Sequence, residues 1–234
     1  MLSIALVGQK GGVGKSTIAS ILVNAALAKS SDTKVMLIET DEQKSSLKFH
    51  EKVVSKYPDL AARFASHEAK TDEQLEAAFN RAIEMDCDYV LIDTAGLHHE
   101  FVTSVISVAD KIIIPFRPTL KEYESQLVTL ELYKKAKAAF EADGGSIGAG
   151  ALVLNDWSDS KQLTAKQREV LTMIFNEPML ADFFIPSRNS FETLDQGNLY
   201  FKELDEAINP LTKRHIQVDL EQALETLSKI EAMQ

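Results

Sequence analysis

The chemistry in this chain is concentrated in Lys10-Gly11-Gly12-Val13-Gly14-Lys15-Ser16-Thr17, which follows directly on the apolar run Ile4-Ala5-Leu6-Val7. Three glycines before a Lys-Ser pair let the backbone turn tightly and aim successive N–H groups at one point. Lys15 adds a mobile positive charge there, and Ser16 offers a hydroxyl to Mg²⁺. The pattern from 16 to 29 reads as a helix, whose positive N-terminal end faces the same point. A nucleotide polyphosphate with its magnesium is the ligand that such an arrangement suits. The generic phosphate loop has glycine at the position held here by Gln9. The variant K-G-G-x-G-K-[ST], with a second lysine, is filled completely by Lys10 through Ser16.

A magnesium-bound triphosphate also requires an acidic residue near the metal and a polar group to orient the attacking water. Asp93 ends the apolar run 88–93 and is followed by Thr94-Ala95-Gly96. Asp41 follows the run 34–39 within Glu39-Thr40-Asp41-Glu42-Gln43. Either aspartate alone could be a helix cap or a turn residue. Their order and spacing after the loop at 10–17 favour Asp93 for the metal and Asp41 for the water.

The elements that must position these residues alternate. Strands are expected at 2–8, 34–39, 88–93, 110–116 and 149–155, with a shorter sixth near 180–185. They are continuous apolar runs, as in a parallel sheet covered on both faces. Amphipathic helices are expected at 16–29, 43–55, 72–85, 121–141 and 162–177, with a last one at 216–231. In the longest, Leu127, Leu130, Tyr133, Ala136 and Phe140 form one stripe; the last would bury Leu220, Leu224, Leu227 and Ile230. The expectation is α/β: one doubly wound, mostly parallel sheet flanked by helices, with ligands at the carboxyl ends of its strands. Residues 1–234 read as one domain without an N-terminal helix-turn-helix extension, and 144–148 as a loop.

Composition sets further bounds. The length of 234 residues suits one sizeable α/β domain. No apolar run approaches the ~18 residues of a membrane span, and the N-terminus lacks the marks of a signal peptide. One cysteine, Cys87, permits no intramolecular disulfide and reads as a small buried residue. The net charge of −10 argues against a surface that binds nucleic acid all over, and leaves room for a local basic patch. His98-His99 read as loop residues.

With these motifs in hand, the chain resembles the ParA/MinD family of P-loop ATPases with the two-lysine loop. The resemblance runs to about residue 205. It rests on Lys10–Thr17, Asp41-Glu42-Gln43 and Val90–Asp93. It also takes in Ile185-Pro186-Ser187-Arg188-Asn189-Ser190-Phe191 with Gly197, similar to a stretch of plasmid-type ParA proteins. It implies ATP and Mg²⁺ as cofactors, with Gly11, Gly12, Val13 and Gly14 as cradle. Lys15 would hold the β- and γ-phosphates, Thr17 the α-phosphate, and Ser16 and Asp93 the metal. Asp41 would position water, Lys10 would reach a partner's phosphates across an ATP-bound homodimer, Asn155 would read adenine, and Pro186 would join the nucleotide contacts.

The resemblance further implies slow ATP hydrolysis stimulated by a ParB-like or other partner, non-specific DNA binding, and a cytoplasmic protein that joins the nucleoid when ATP-bound. Arg188, Lys213 and Arg214 are the candidate DNA contacts. The cargo would be a plasmid or other DNA element. The stretch from Leu163-Thr164 through Gln167-Arg168 to Gly197 is also similar to relatives that serve conjugative DNA transfer. A MinD-like membrane role would call for a basic amphipathic C-terminal helix, whereas 219–234 carries Asp219, Glu221, Glu225 and Glu231 against Lys229. A metabolic ligase on a related fold would not generally use Lys10, and an iron–sulfur ATPase would use two cysteines. The chain departs from the family's Asp-x-Asp-Pro-Gln at Glu39 and Glu42, and from Pro-Pro at Ala95-Gly96, which bears on switch geometry and hydrolysis rate.

Overall fold

The structure is a computed structural model that describes residues 1–96, 99–158 and 164–234. Seven strands form one sheet: β1 (Leu2–Leu6), β2 (Val35–Glu39), β3 (Phe64–Glu68), β4 (Tyr89–Asp93), β5 (Lys111–Phe116), β6 (Ala149–Trp157) and β7 (Leu180–Pro186). Their order is β3-β2-β4-β1-β5-β6-β7, and every recorded pairing is parallel. The α/β expectation is met, with a sheet that is parallel throughout rather than mostly so.

Among the described residues, eight α-helices wind onto its two faces: α1 (Lys15–Lys29), α2 (Ser45–Lys56), α3 (Asp72–Glu84), α4 (His99–Val108), α5 (Leu120–Ala142), α6 (Ala165–Phe175), α7 (Tyr200–Glu206) and α8 (Pro210–Glu231). Ile4 and Leu6 of β1 pack with α1, α2, α7 and α8. Ala5 and Val7 face the other way, onto the core shared with α3, α4, α5 and α6. The period of two in each strand thus separates two cores, and both must be filled for either face to shed water.

Several boundaries differ from expectation for physical reasons. β3 was not expected, because Phe-Ala-Ser-His-Glu has one fully buried apolar residue and lies at the sheet edge. Helix α1 is buried on nearly every side from Ile18 to Leu27, being wedged between the sheet and α8, so it is not amphipathic. Phe140 sits on the expected α5 stripe yet is 38% exposed. Helix α8 begins six residues before the expected 216: the Asn209 side chain accepts the amides of Leu211 and Thr212, and Pro210 opens the first turn. Lys213, Arg214 and His215 therefore lie on a helix and not in a loop ahead of it.

Helix α6 begins at Ala165 under a capping box between Thr164 and Gln167; the expected residues 162 and 163, with Leu163 of the transfer-type stretch, lie outside the described residues. His99 opens α4 rather than sitting in a loop, and His98 lies outside the described residues. Cys87 is buried, as expected.

Candidate nucleotide site

β1 delivers the chain to the carboxyl edge of the sheet, where residues 8–14 wrap into α1. Gly12 and Gly14 have φ of 83° and 96°, in the left-handed region that glycine adopts without a Cβ clash. Gly14 is the N-cap of α1 and offers no side chain, so the first-turn amides of the helix keep no internal acceptor. Gly11 and Gly12 are exposed, while Val13 is buried and anchors the loop. Lys15 is only 7% exposed, and its ammonium folds over the loop to the carbonyls of Lys10 at 3.0 Å and Gly8 at 3.5 Å. Burial pushes its pKa down, while Asp93, Asp41 and Glu39 push it back up. A phosphate oxygen arriving here would take over a lysine already aimed at the cradle. Ser16 is half-buried and Thr17 exposed, both on the open mouth of the helix.

Asp93 ends β4 beside β1, at the register position opposite Leu6. It is 1% exposed and accepts the Ser46 hydroxyl at 2.7 Å. Burial raises its pKa, and the Ser16 and Ser46 hydroxyls and Lys15 work in the opposite direction. A buried carboxylate beside serine hydroxyls supplies the oxygen donors that suit a hydrated divalent cation, and Lys15 adds a charge for the polyphosphate that would carry it. On the other side of β4, the pairing with β2 places Glu39 opposite Asp93. Thr40 laces the two strand ends together: its amide donates to the Asp93 carbonyl at 3.0 Å, and its hydroxyl accepts the Ala95 amide at 2.8 Å.

Asp41 lies just beyond, half-buried, with one oxygen accepting the Gln43 amide at 2.9 Å. It borders a cavity of about 440 Å³ shared with Lys70, Ala95 and Phe101. Gly96, on the rim of the same cavity, packs closely on the phosphate loop: a Cβ there would lie 2.9 Å from the Gln9 carbonyl oxygen. That contact gives Gly96 a physical role where the family has proline. Glu39, Thr40 and Ser46 were not singled out by the sequence as site residues. The signal was a polar cluster at a strand end followed by a helix start.

The residues of the remaining expected contacts are placed as follows. Asn155 is buried near the end of β6 and donates its amide to the Val13 carbonyl at 2.7 Å, so it braces the phosphate loop. Pro186 ends β7 opposite Trp157, beside a small cavity against α8. Lys10 donates its ammonium to the Lys121 carbonyl at 3.1 Å. Arg188 donates to Gln222 at 2.7 Å and stands 3.9 Å from Asp219, whereas Lys213 and Arg214 are exposed on the first turns of α8.

Comparison with known proteins places these features in a family. A family model described as VirC1 protein matches residues 1–234. Protein virC1 of Rhizobium rhizogenes is 26% identical over 227 residues, covering 94% of this chain and 93% of that one. Among solved structures, apo McdA of Cyanothece superposes with a TM-score of 0.68 at 20% identity, covering 99% of this chain and all of the other. A Borrelia burgdorferi plasmid partition protein bound to AMPPNP gives 0.62 at 17% identity, covering 96% and 99%. MinD and ParA structures share this fold, so the expected ParA/MinD architecture is shown.

Proposed function

Since the chain belongs to the VirC1 protein family, within the ParA/MinD class of P-loop ATPases, we propose that it is an ATPase that closes into a dimer on ATP, binds DNA without sequence preference and is reset by a stimulating partner. The observation that carries the reading is the open N-terminus of α1 with Lys15 folded over it, near Asp93 at the end of β4 and Asp41 just after β2.

In this reading the amides of residues 11–17 and Lys15 hold the β- and γ-phosphates. Ser16 and Asp93 would hold Mg²⁺, which when bound would neutralise charge on the phosphate oxygens. Asp41 orients the attacking water and accepts its proton. Lys10 leaves the Lys121 carbonyl to meet the phosphates of the second subunit. Lys213 and Arg214, exposed on α8, meet DNA phosphates. The protein works in the cytoplasm and joins the nucleoid in its ATP state. Its cargo is a plasmid or another DNA element; a part in conjugative DNA transfer fits the same cycle and the same family.

A membrane-positioning role fits less well. Leu227 and Ile230, on the apolar face that α8 would turn to a bilayer, are buried against the core.

The test is binding to unrelated duplex DNA with ATP, with ADP and without nucleotide. Binding that depends on ATP and weakens with salt supports the reading; no binding at low salt in any state sinks it. Lys10→Ala should retain nucleotide binding and lose ATP-dependent dimerisation in light scattering. Asp41→Ala should trap the ATP dimer, and undiminished turnover would remove Asp41 from the mechanism.

A further inference from the structure

Glu39 is the last residue of β2, fully buried, where the resembling family has the shorter aspartate. Its two oxygens divide their work: one accepts the Asp41 amide at 2.8 Å, the other the Ser46 amide at 2.9 Å. The second bond answers a defect in α2. The N-cap of that helix, Lys44, is in the left-handed region at φ 55° and provides no side-chain cap. A carboxylate placed on a first-turn amide serves in its stead and meets the positive end of the helix. Ser46 then passes the connection on, since its hydroxyl donates to Asp93 at 2.7 Å. The loop 40–44 is thus held at both ends by one side chain, and its strained residue persists because the surroundings over-determine it.

We propose that Glu39 is a positioning residue for ATP hydrolysis: by accepting the amides of Asp41 and Ser46 together, it fixes the Asp41 carboxylate relative to Asp93 and the phosphate loop. An aspartate, shorter by one C–C bond of about 1.5 Å, would not span both amides from the same strand end. The departure at position 39 is therefore part of how this chain sets its switch loop. The inference rests on the hydrolytic role proposed for Asp41.

Glu39→Gln keeps size and removes one acceptor, since an amide nitrogen would face a backbone N–H. Glu39→Asp keeps the charge and loses reach. For both variants and the native protein, filled sites are titrated with labelled ATP and Mg²⁺, kcat is expressed per filled site, and exchange of the Asp41 and Ser46 amides is followed by ¹⁵N NMR. Both amides should be protected in the native protein and exchange faster in the variants. Per-site kcat should fall about 10- to 100-fold, the effect of displacing a reacting group by about 1 Å, with ATP affinity little changed.

Native per-site kcat in both variants overturns the proposal, as does a loss of activity that merely tracks lost sites. Should neither variant fold, unprotected Asp41 and Ser46 amides in the native protein overturn it and protected ones support it. A native protein that binds ATP and never hydrolyses it, even with DNA and partner, refutes instead the role of Asp41.

Discussion

The phosphate loop and the start of α8 both offer cations to phosphate groups, by opposite constructions. Lys15 is buried, hydrogen-bonded to two carbonyls, and surrounded by the carboxylates of Asp93, Asp41 and Glu39. Lys213 and Arg214 stand in solvent on a helix whose N-cap, Asn209, and first residue, Pro210, concern only the backbone. The first region fixes where a phosphate must sit; the second requires only that positive charge be somewhere on the face. Triphosphate chemistry depends on tenths of an ångström, whereas non-specific DNA binding depends on counterion release and tolerates displacement.

The largest test of that contrast is Lys15→Ala. Truncating one partner of a buried, charge-assisted contact costs about 2–5 kcal/mol, so ATP affinity measured by calorimetry should fall by at least about 30-fold. If DNA binding is ATP-dependent, it should vanish with it.

The second test is a pH titration of the nucleotide-free protein. Burial and the neighbouring Asp93 carboxylate raise Glu39 to about 7, and burial raises Asp93 as well. A carboxyl whose pKa is higher folded than unfolded binds more protons in the folded state across that interval. Its contribution to stability is therefore full below about 4.5 and is lost as pH rises to about 7, for Glu39 an effect of order 3 kcal/mol. Denaturant midpoints should drop between pH 5 and pH 8, and Glu39→Gln should flatten the slope. No such slope is expected from the exposed cations of α8.

Removing both Lys213 and Arg214 should leave ATP binding intact. It should lower the slope of log K against log salt for duplex DNA by about 2 and weaken binding roughly tenfold at moderate salt, irrespective of sequence. A change of comparable size follows from Asn155→Ala, which leaves the buried Val13 carbonyl without its donor. The loss of about 1–3 kcal/mol should appear as a looser loop and weaker ATP binding, with DNA contacts otherwise unchanged. If Asn155 instead acts on the base alone, ATP would weaken while GTP would not.

The same contrast decides what the sequence could reveal. The loop at 10–17 is legible because few purposes other than phosphate binding demand three glycines, Lys-Ser and a following helix in one run. The sheet was legible because strands buried on both faces, such as Val35–Glu39 and Tyr89–Asp93, are continuous apolar runs. β3 was not legible: as an edge strand covered mainly at Phe64, it has no apolar run to show. Glu39 was legible only as a departure from the family pattern and Ser46 not at all, because their roles arise from strand register and a helix start. Register sets Glu39 opposite Asp93, and no spacing in the chain records that. Asn155 could be recognised as a polar residue near a strand end, but not as a brace on Val13, which is 142 residues away.

Arg188 gives the smallest effect and the sharpest line between the two regions. By residue type and place it belongs with Lys213 and Arg214 as a DNA contact. By geometry it belongs with the braced residues: its Nε donates to Gln222, and Asp219 lies within ion-pair distance, tying the end of β7 to α8. Its side chain is 36% exposed and that of Asp219 only 11%, so most of the loss on truncation falls on the acid left behind. Partial solvent screening holds that loss to about 1 kcal/mol. Arg188→Ala should therefore lower the denaturant midpoint slightly while leaving the salt slope of DNA binding within error. A slope reduced by about 1 at unchanged stability would move Arg188 across the line, into the group that acts by charge alone.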